Sequence, residues 1–355
     1  MAKTAILKSG LFLEHDPGFT HVESPSRLEV IHEGLKSLSG LEDFVYPDLA
    51  PATRAALLRV HSAEHVDRIA ATSGKVYDLL DADTCTSAAS YSAACLAAGA
   101  AIDGARLVAE GGAANAFALV RPPGHHAEYG YAKGFCLFNN IAVAAAFALR
   151  ELGLKRVLVI DWDLHHGNGT QNSFYTTDQV LYFSTHMYPY YPGSGALQEI
   201  GSGRGEGYNL NVPLSGGMND LAYATVFNDI LSPVARQFEP ELIMVSAGYD
   251  IYHGDPLGTM AVTEAGFAYL TRVVRELAEE LCGGRLLMTL EGGYNLTGLR
   301  EGVLASLREL AGLVPAPEAG ARIDAMAEAG FGRPGCLSGA SLATLRRAYS
   351  PHWQI

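Results

Sequence analysis

Four stretches of this 355-residue chain place residues able to bind a metal or move a proton directly after short apolar runs. Ala116–Val120 runs into Arg121-Pro-Pro-Gly-His125-His126, and Arg156–Ile160 into Asp161-Trp-Asp163-Leu-His165-His166-Gly-Asn168. Leu242–Ser246 runs into Ala247-Gly-Tyr-Asp250, and Arg285–Leu290 into Glu291-Gly-Gly-Tyr294-Asn295. Asp163 and His165 alternate on an extended segment, so both side chains point the same way and can reach one ion. Carboxylate plus imidazole suits zinc, whose catalytic sites keep about three protein ligands and an open position. Asp250, at the end of another run, is the natural third ligand. An isolated Asp-x-His is more often a solvated turn; Asp161, His166 and Asn168 packed around this one shift the balance to a metal.

Adjacent histidines after a rigid Pro-Pro-Gly turn are either idle surface groups or a proton-transfer pair. Asp161 and Asn168 offer each ring an orienting partner, the arrangement a catalytic pair needs. A tyrosine such as Tyr294 is most often packing, but the two glycines before it permit a backbone path that aims the phenol into a site. Phe135 and Tyr191 would ordinarily be core or surface aromatics; paired across a channel they could grip an aliphatic chain.

The apolar runs, with Val180–Phe183, are nearly continuous, as in strands covered on both faces of a parallel sheet. Segments with helical spacing lie between them: Ser87–Val108, Asn140–Glu151, Leu221–Gln237 and Thr263–Leu281. Thr263 reads as an N-cap and Gly283-Gly284 as the stop of that last helix. Alternating strands and helices imply a three-layer α/β/α domain with a mainly parallel central sheet. Ligands in such sheets bind at the carboxyl ends of the strands, where all four motifs fall. No Pro-, Gly- or Ser-rich linker divides the chain, which reads as one domain over 1–355, with a tail from 313 packed on the surface and ending in a short helix near Ser341–Arg347.

The net charge of −13 argues against a nucleic-acid binder held by phosphate contacts. Five scattered cysteines, Cys85, Cys95, Cys136, Cys282 and Cys336, form no C-x-x-C pair and fit a reducing compartment. The N-terminus has no signal-peptide pattern. The uncharged stretch Thr84–Ile102 is dominated by Ala, Ser and Thr and reads as a buried helix rather than a membrane span. A cytoplasmic protein is expected.

The motifs together resemble the histone deacetylase family, of the arginase/deacetylase fold. The matching strings are RPPGHHA (121–127), GFCLFNN (134–140), DWDLHHGNGTQ (161–171), YPGSGA (191–196), SAGYD (246–250), GDPLG (254–258) and LEGGYNL (290–296). HVESPSRL (21–28) looks like the family's early loop, and the resemblance runs in order to about residue 312. Trp162, Asn168 and Glu291 look more like the class II enzymes and their bacterial relatives.

The resemblance implies Asp163, His165 and Asp250 as zinc ligands, which would also accept ferrous iron. It implies His125 and His126 as catalytic histidines partnered by Asp161 and Asn168, and Tyr294 as the phenol that polarises the substrate carbonyl. Gly134, Phe135, Tyr191 and Leu257 would line an acyl-lysine tunnel, and Asp83 would hold the substrate backbone. A potassium or sodium ion would use Asp161, Asp163, His165, Ser184 and Thr185, and a second Phe174, Thr177, Val180 and Tyr208.

The implied activity is zinc-dependent removal of acetyl groups from lysine side chains of proteins or peptides. Acetylpolyamine deacetylation would use the same chemistry on small acetylated amines. Polyamine-selective relatives carry a glutamate where this chain has Leu257, so leucine counts against that alternative. A catalytically idle acyl-lysine scaffold is disfavoured by the presence of Tyr294, and a two-metal ureohydrolase by too few carboxylates. Neither a nucleic acid nor a membrane is an expected partner; self-association is open.

Overall fold

The computed structural model describes residues 3–38, 44–313 and 335–355. Residues 314–334 of the expected surface tail therefore lie outside the described residues. Among the described residues there are ten strands: β1 (Thr4–Leu7), β2 (Phe44–Val45), β3 (Asp78–Asp81), β4 (Thr84–Thr86), β5 (Asn115–Ala118), β6 (Val157–Asp161), β7 (Val180–Met187), β8 (Asn209–Leu214), β9 (Leu242–Ala247) and β10 (Leu286–Leu290). Eight of them form one parallel sheet in the order β2-β1-β5-β10-β9-β6-β7-β8, while β3 and β4 make a separate antiparallel hairpin. The expected α/β class with a mainly parallel sheet is the one observed.

After α2 (Arg54–Leu57) and α3 (Ala63–Ala70), and ahead of α6 (Asn168–Phe174), helices α4 (Ser90–Ala109) and α5 (Asn140–Arg150) pack on one face of the sheet. On the other lie α1 (Ser26–Lys36), α9 (Glu264–Cys282) and α10 (Leu296–Leu310). α4 is long and apolar enough to cross a membrane, but 72% of its most apolar window is buried within the fold. A Cβ at Gly99 would collide with the backbone of Ala50, so this helix needs glycine there to sit as close as it does.

The five sequence-predicted strands each have an observed counterpart, with ends shifted by a residue or two in four of them. β7 runs four residues further than expected, because Thr185, His186 and Met187 pair with Val212, Pro213 and Leu214 of β8. The expected helix Leu221–Gln237 is divided into α7 (Asp220–Val226), a π-turn at Phe227–Leu231 and α8 (Ser232–Phe238). Pro233 lacks a backbone donor and its ring crowds the carbonyl four residues back, which favours such a widened turn.

Gly283 ends α9 in the left-handed region at φ 65°. Thr263 does occupy the N-cap, but its hydroxyl makes no cap bond: its N and Oγ1 donate instead to the buried Asp220 at 2.7 and 2.8 Å. The last described helix, α11 (Gly339–Tyr349), lies on the surface and buries Leu342, Leu345 and Tyr349. The Tyr349 hydroxyl donates to Asn211 O and Trp353 Nε1 to Gly207 O, covering the β8 edge of the sheet.

Several histidines are buried in a neutral form. His61 Nδ1 lies 2.8 Å from Glu128 O, while Nε2 accepts from Asn139 N at 2.9 Å, the entry to α5. Burial, and then the neighbouring His65, push the His61 pKa down to about 3. The unfolded chain takes up this proton as pH falls through roughly 6.5, whereas the folded protein does not, so stability is lost on acidification. The stability advantage of the wild type over His61→Asn is expected to shrink by about 1.4 kcal/mol per pH unit between roughly pH 6 and 4.5. Urea unfolding of both proteins across that range measures it; a pH-independent difference would remove His61 from the account.

Candidate active site

Strands β5, β10, β9 and β6 are consecutive in the sheet, so the four polar motifs at their carboxyl ends meet at one place. Glu291, just past β10, ties two of them together. Its Oε2 accepts from Gly124 N at 2.6 Å and His125 N at 3.1 Å, and its Oε1 from Ser246 Oγ at 3.0 Å. Burial raises its pKa to about 7 against the pull of His125 and the Gly124 amide. The Pro-Pro-Gly turn is thereby clamped, and both histidine rings enter the pocket with centroids 4.0 Å apart.

The rings have different partners. His125 Nδ1 is 3.0 Å from Asp161 Oδ2, which also accepts from the Tyr182 hydroxyl at 3.0 Å. Burial disfavours the His125 charge, but Asp161 and Asp163 outweigh it and raise the pKa to about 10. His126 Nδ1 is 2.7 Å from the neutral Asn168 Oδ1. Burial, then the charges of His125 and His165, hold His126 well below the usual imidazole range. One ring is thus a fixed cation and the other a neutral acceptor, a division of labour set by carboxylate against amide.

Asp163, His165 and Asp250 bring ligand atoms within 4.8 Å of one another, all of them buried. His165 Nδ1 lies 3.1 Å from Asp163 Oδ1 and 3.2 Å from Asp250 Oδ2. Tetrahedral donors at zinc-like bond lengths stand roughly 3.3–3.6 Å apart, so the imidazole nitrogen is close to that spacing from each carboxylate. Asp250 Oδ2 is buried without a hydrogen-bond partner. Its Oδ1 accepts from Leu164 N at 2.9 Å, and Asp163 Oδ2 accepts from Gly292 N at 2.9 Å, so backbone amides aim both carboxylates. A Cβ at Gly292 would collide with Asp250 Oδ2 and crowd Asp163 Oδ2, so only glycine fits. Two carboxylates and an imidazole with a spare buried oxygen suit a divalent cation.

Beside this trio opens a cavity of about 170 Å³ lined by Asp83, Pro123, both histidines, Gly134, Phe135, His165, Tyr190, Tyr191, Leu257, Gly292 and Tyr294. That volume admits one slender chain. Gly134 and Phe135 both take positive φ, 55° and 69°, which turns the Phe135 ring edge-on to Tyr294 at 5.9 Å. A Cβ at Gly134 would strike the His126 ring. Tyr191 stands edge-on to His126 at 5.1 Å. Asp83 Oδ1 accepts from Gly134 N at 3.3 Å, bringing the β3–β4 hairpin to the rim.

Tyr294 is held from behind. Its N donates to Asp255 Oδ2 at 2.7 Å, and its ring sits 4.9 Å from the Arg27 guanidinium. Arg27 also donates to Gly293 O at 2.7 Å and Glu291 O at 2.5 Å, and pairs with Glu23, which bonds Arg121 as well. Burial keeps the phenol pKa well above its ordinary value, so Tyr294 is a neutral donor at neutral pH.

Most of the expected site residues converge here. Ser184 neighbours Asp161 across β6–β7, and Thr185 has a buried hydroxyl with no partner. Phe174, Thr177, Val180 and Tyr208 lie apart from the cavity lining, around the start of β7: Phe174 O accepts from Thr177 N at 3.2 Å and Tyr208 O from Tyr182 N at 2.9 Å. Sequence reasoning assigns no role to Arg27, Asp255 or Tyr190. Tyr190 stacks on His165 at 5.7 Å and donates to Leu257 O at 2.7 Å. Their only sequence signal is position inside or beside the quoted motifs.

Residues 21–310 match the histone deacetylase domain family. Histone deacetylase 15 of Arabidopsis thaliana is 43% identical over 303 residues, covering 84% of this chain and 54% of that protein, so the chain spans about half of that relative's length. A probable deacetylase of Archaeoglobus fulgidus is 40% identical over 297 residues, covering 83% and 82% of the two chains. The crystal structure of the HDA15 HD domain superposes with a TM-score of 0.87 at 38% identity, over 99% of this chain and 95% of that one. With its sheet, its strand-end site and its sequence in agreement, this chain belongs to the histone deacetylase family of hydrolases.

Proposed function

We propose that the protein hydrolyses the acetyl amide of lysine side chains in proteins or peptides, releasing acetate, with zinc held by Asp163, His165 and Asp250. The observation that carries this reading is the buried ligand trio at the wall of a slender cavity also lined by His126 and Tyr294. A divalent ion there supplies Lewis-acid polarisation of the amide carbonyl and acidifies a water.

The chain's own residues do the rest. His126, neutral with Nε2 free while Nδ1 faces Asn168, accepts the water's proton and later returns it to the leaving amine. His125, charged beside Asp161, stabilises negative charge as it develops on the substrate. Tyr294 donates its phenol proton in a hydrogen bond to the oxyanion, a contact worth about 3–4 kcal/mol in comparable sites. Phe135 and Tyr191 wall the methylene chain, and Asp83 at the rim accepts from substrate amides. A monovalent cation beside Asp161 would draw on Ser184, which pairs with Asp161 across β6–β7.

Leu257 distinguishes this reading from acetylpolyamine hydrolysis. Its apolar side chain lines the cavity and offers nothing to a distant ammonium, whose desolvation there is a cost. Acetyl-lysine peptides are expected to exceed acetylputrescine and acetylspermidine in kcat/KM. Leu257→Glu should move that ratio toward the polyamines by about tenfold, or about 1.4 kcal/mol of differential transition-state binding. A wild-type preference for the acetylpolyamines would sink the lysine reading.

A further inference from the structure

A buried carboxylate stands behind the His126–Asn168 pair. Glu128 is 8% exposed, and its Oε1 accepts from Asn168 Nδ2 at 2.6 Å. Asn172 Nδ2 donates to both of its oxygens, at 2.9 and 3.1 Å. Its backbone is held as well, N to Tyr131 O at 3.0 Å and O to His61 Nδ1 at 2.8 Å.

The two ends of an amide side chain are nearly the same shape, so only hydrogen bonding decides which end faces which way. Around Asn168 the decision is complete. Its Nδ2 faces Glu128 Oε1 and, at 3.3 Å, His126 O, and neither can donate. Oδ1 must then face His126 Nδ1, at 2.7 Å, which requires the proton on Nδ1 and leaves Nε2 with its lone pair. A carboxylate in place of this amide would accept with either oxygen and need no such help. An asparagine does.

We infer that Glu128 is a positioning residue that sets the tautomer of His126 through the orientation of the Asn168 amide, an inference that rests on His126 being the base. Glu128 and Asn168 work as a unit, so the effect of neutralising Glu128 depends on what occupies position 168. Beside asparagine, Glu128 supplies the shorter of the two acceptors of the NH₂ group, at 2.6 Å against 3.3 Å for His126 O. In an Asn168→Asp variant, it would be a like charge at hydrogen-bond distance.

The test is a double-mutant cycle on the intact protein. Glu128→Ala should lower kcat about tenfold with KM changed by less than about twofold, the loss of an orienting partner rather than of binding. Glu128→Gln keeps an acceptor in the same shape and should recover most of that loss. In the Asn168→Asp background the sign should reverse: Glu128→Gln should raise kcat. Relief of like-charge repulsion contributes to that reversal, so the tautomer measurement below separates positioning from it. Equal effects of Glu128→Gln in both backgrounds would overturn the inference, and the two Gln variants carry the test if Glu128→Ala does not fold.

A second readout needs no substrate. Nitrogen-15 histidine NMR should show His126 as a single Nδ1–H tautomer in the wild type and a mixture in Glu128→Ala. An unchanged tautomer overturns the positioning role even in an active enzyme. A tautomer change in a protein without amidase activity would instead fault the proposed function.

Discussion

Asp250→Ala is expected to yield a folded protein that neither retains a divalent ion nor turns over an acetyl-lysine peptide. The carboxylate is fully buried at the end of β9, with one oxygen held by Leu164 N and the other directed at His165. Its removal takes away one of three ligands and leaves His165 a single acidic partner. Without Lewis-acid help worth several kcal/mol, turnover should fall by more than about 10³-fold. Metal analysis of gel-filtered protein and a single-substrate rate measure the two effects. Chelation should lower the melting temperature of the wild type but not of the variant, because an ion bound only by the folded state stabilises by mass action. Full metal occupancy in Asp250→Ala would defeat the ligand assignment.

The second large effect is expected at His126. Proton transfer by a positioned side chain contributes about 10²–10⁴-fold, so His126→Ala should lose that much kcat, or about 2.7–5.4 kcal/mol in barrier height. The ring lines the cavity, touches Tyr191 and His165 by their edges, and supports little of the core. Metal content and circular dichroism should therefore match the wild type while kcat falls and KM changes little. A folded, metal-bearing variant with near-normal turnover would show that another group is the base.

The site is legible in the sequence to the extent that its chemistry is local. Asp163 and His165 share a direction because alternate residues of an extended segment do, and that follows from two positions. The Gly283 cap, the apolar runs ending in polar clusters, and α9 between Thr263 and Gly283 are likewise local patterns. β1 and β8 carry no such signal: β1 is four residues long, and the Asn209-Leu-Asn211 alternation of β8 suits an edge strand rather than a continuous apolar run. The Thr263 hydroxyl departs from its expected capping role because Asp220, on a distant helix, competes for it. Phe135 at positive φ has no sequence signature, since local preference disfavours that conformation and Thr84 Oγ1 holds its amide from the β4 strand.

Residue order along the chain is enough to say which donors exist and which strand end carries each of them. That β5, β10, β9 and β6 lie side by side, and so that the donors meet, is a property of the folded sheet alone. The contacts that aim them join residues far apart in the chain: Leu164 N to Asp250, Gly292 N to Asp163, Arg27 to Gly293. The same holds for Glu128, three residues past His125 in sequence, whose meaning comes from Asn168 on another segment. Hydrogen-bond orientation and charge are set by what surrounds a group in space, and periodicity along a strand or helix carries no record of its partner.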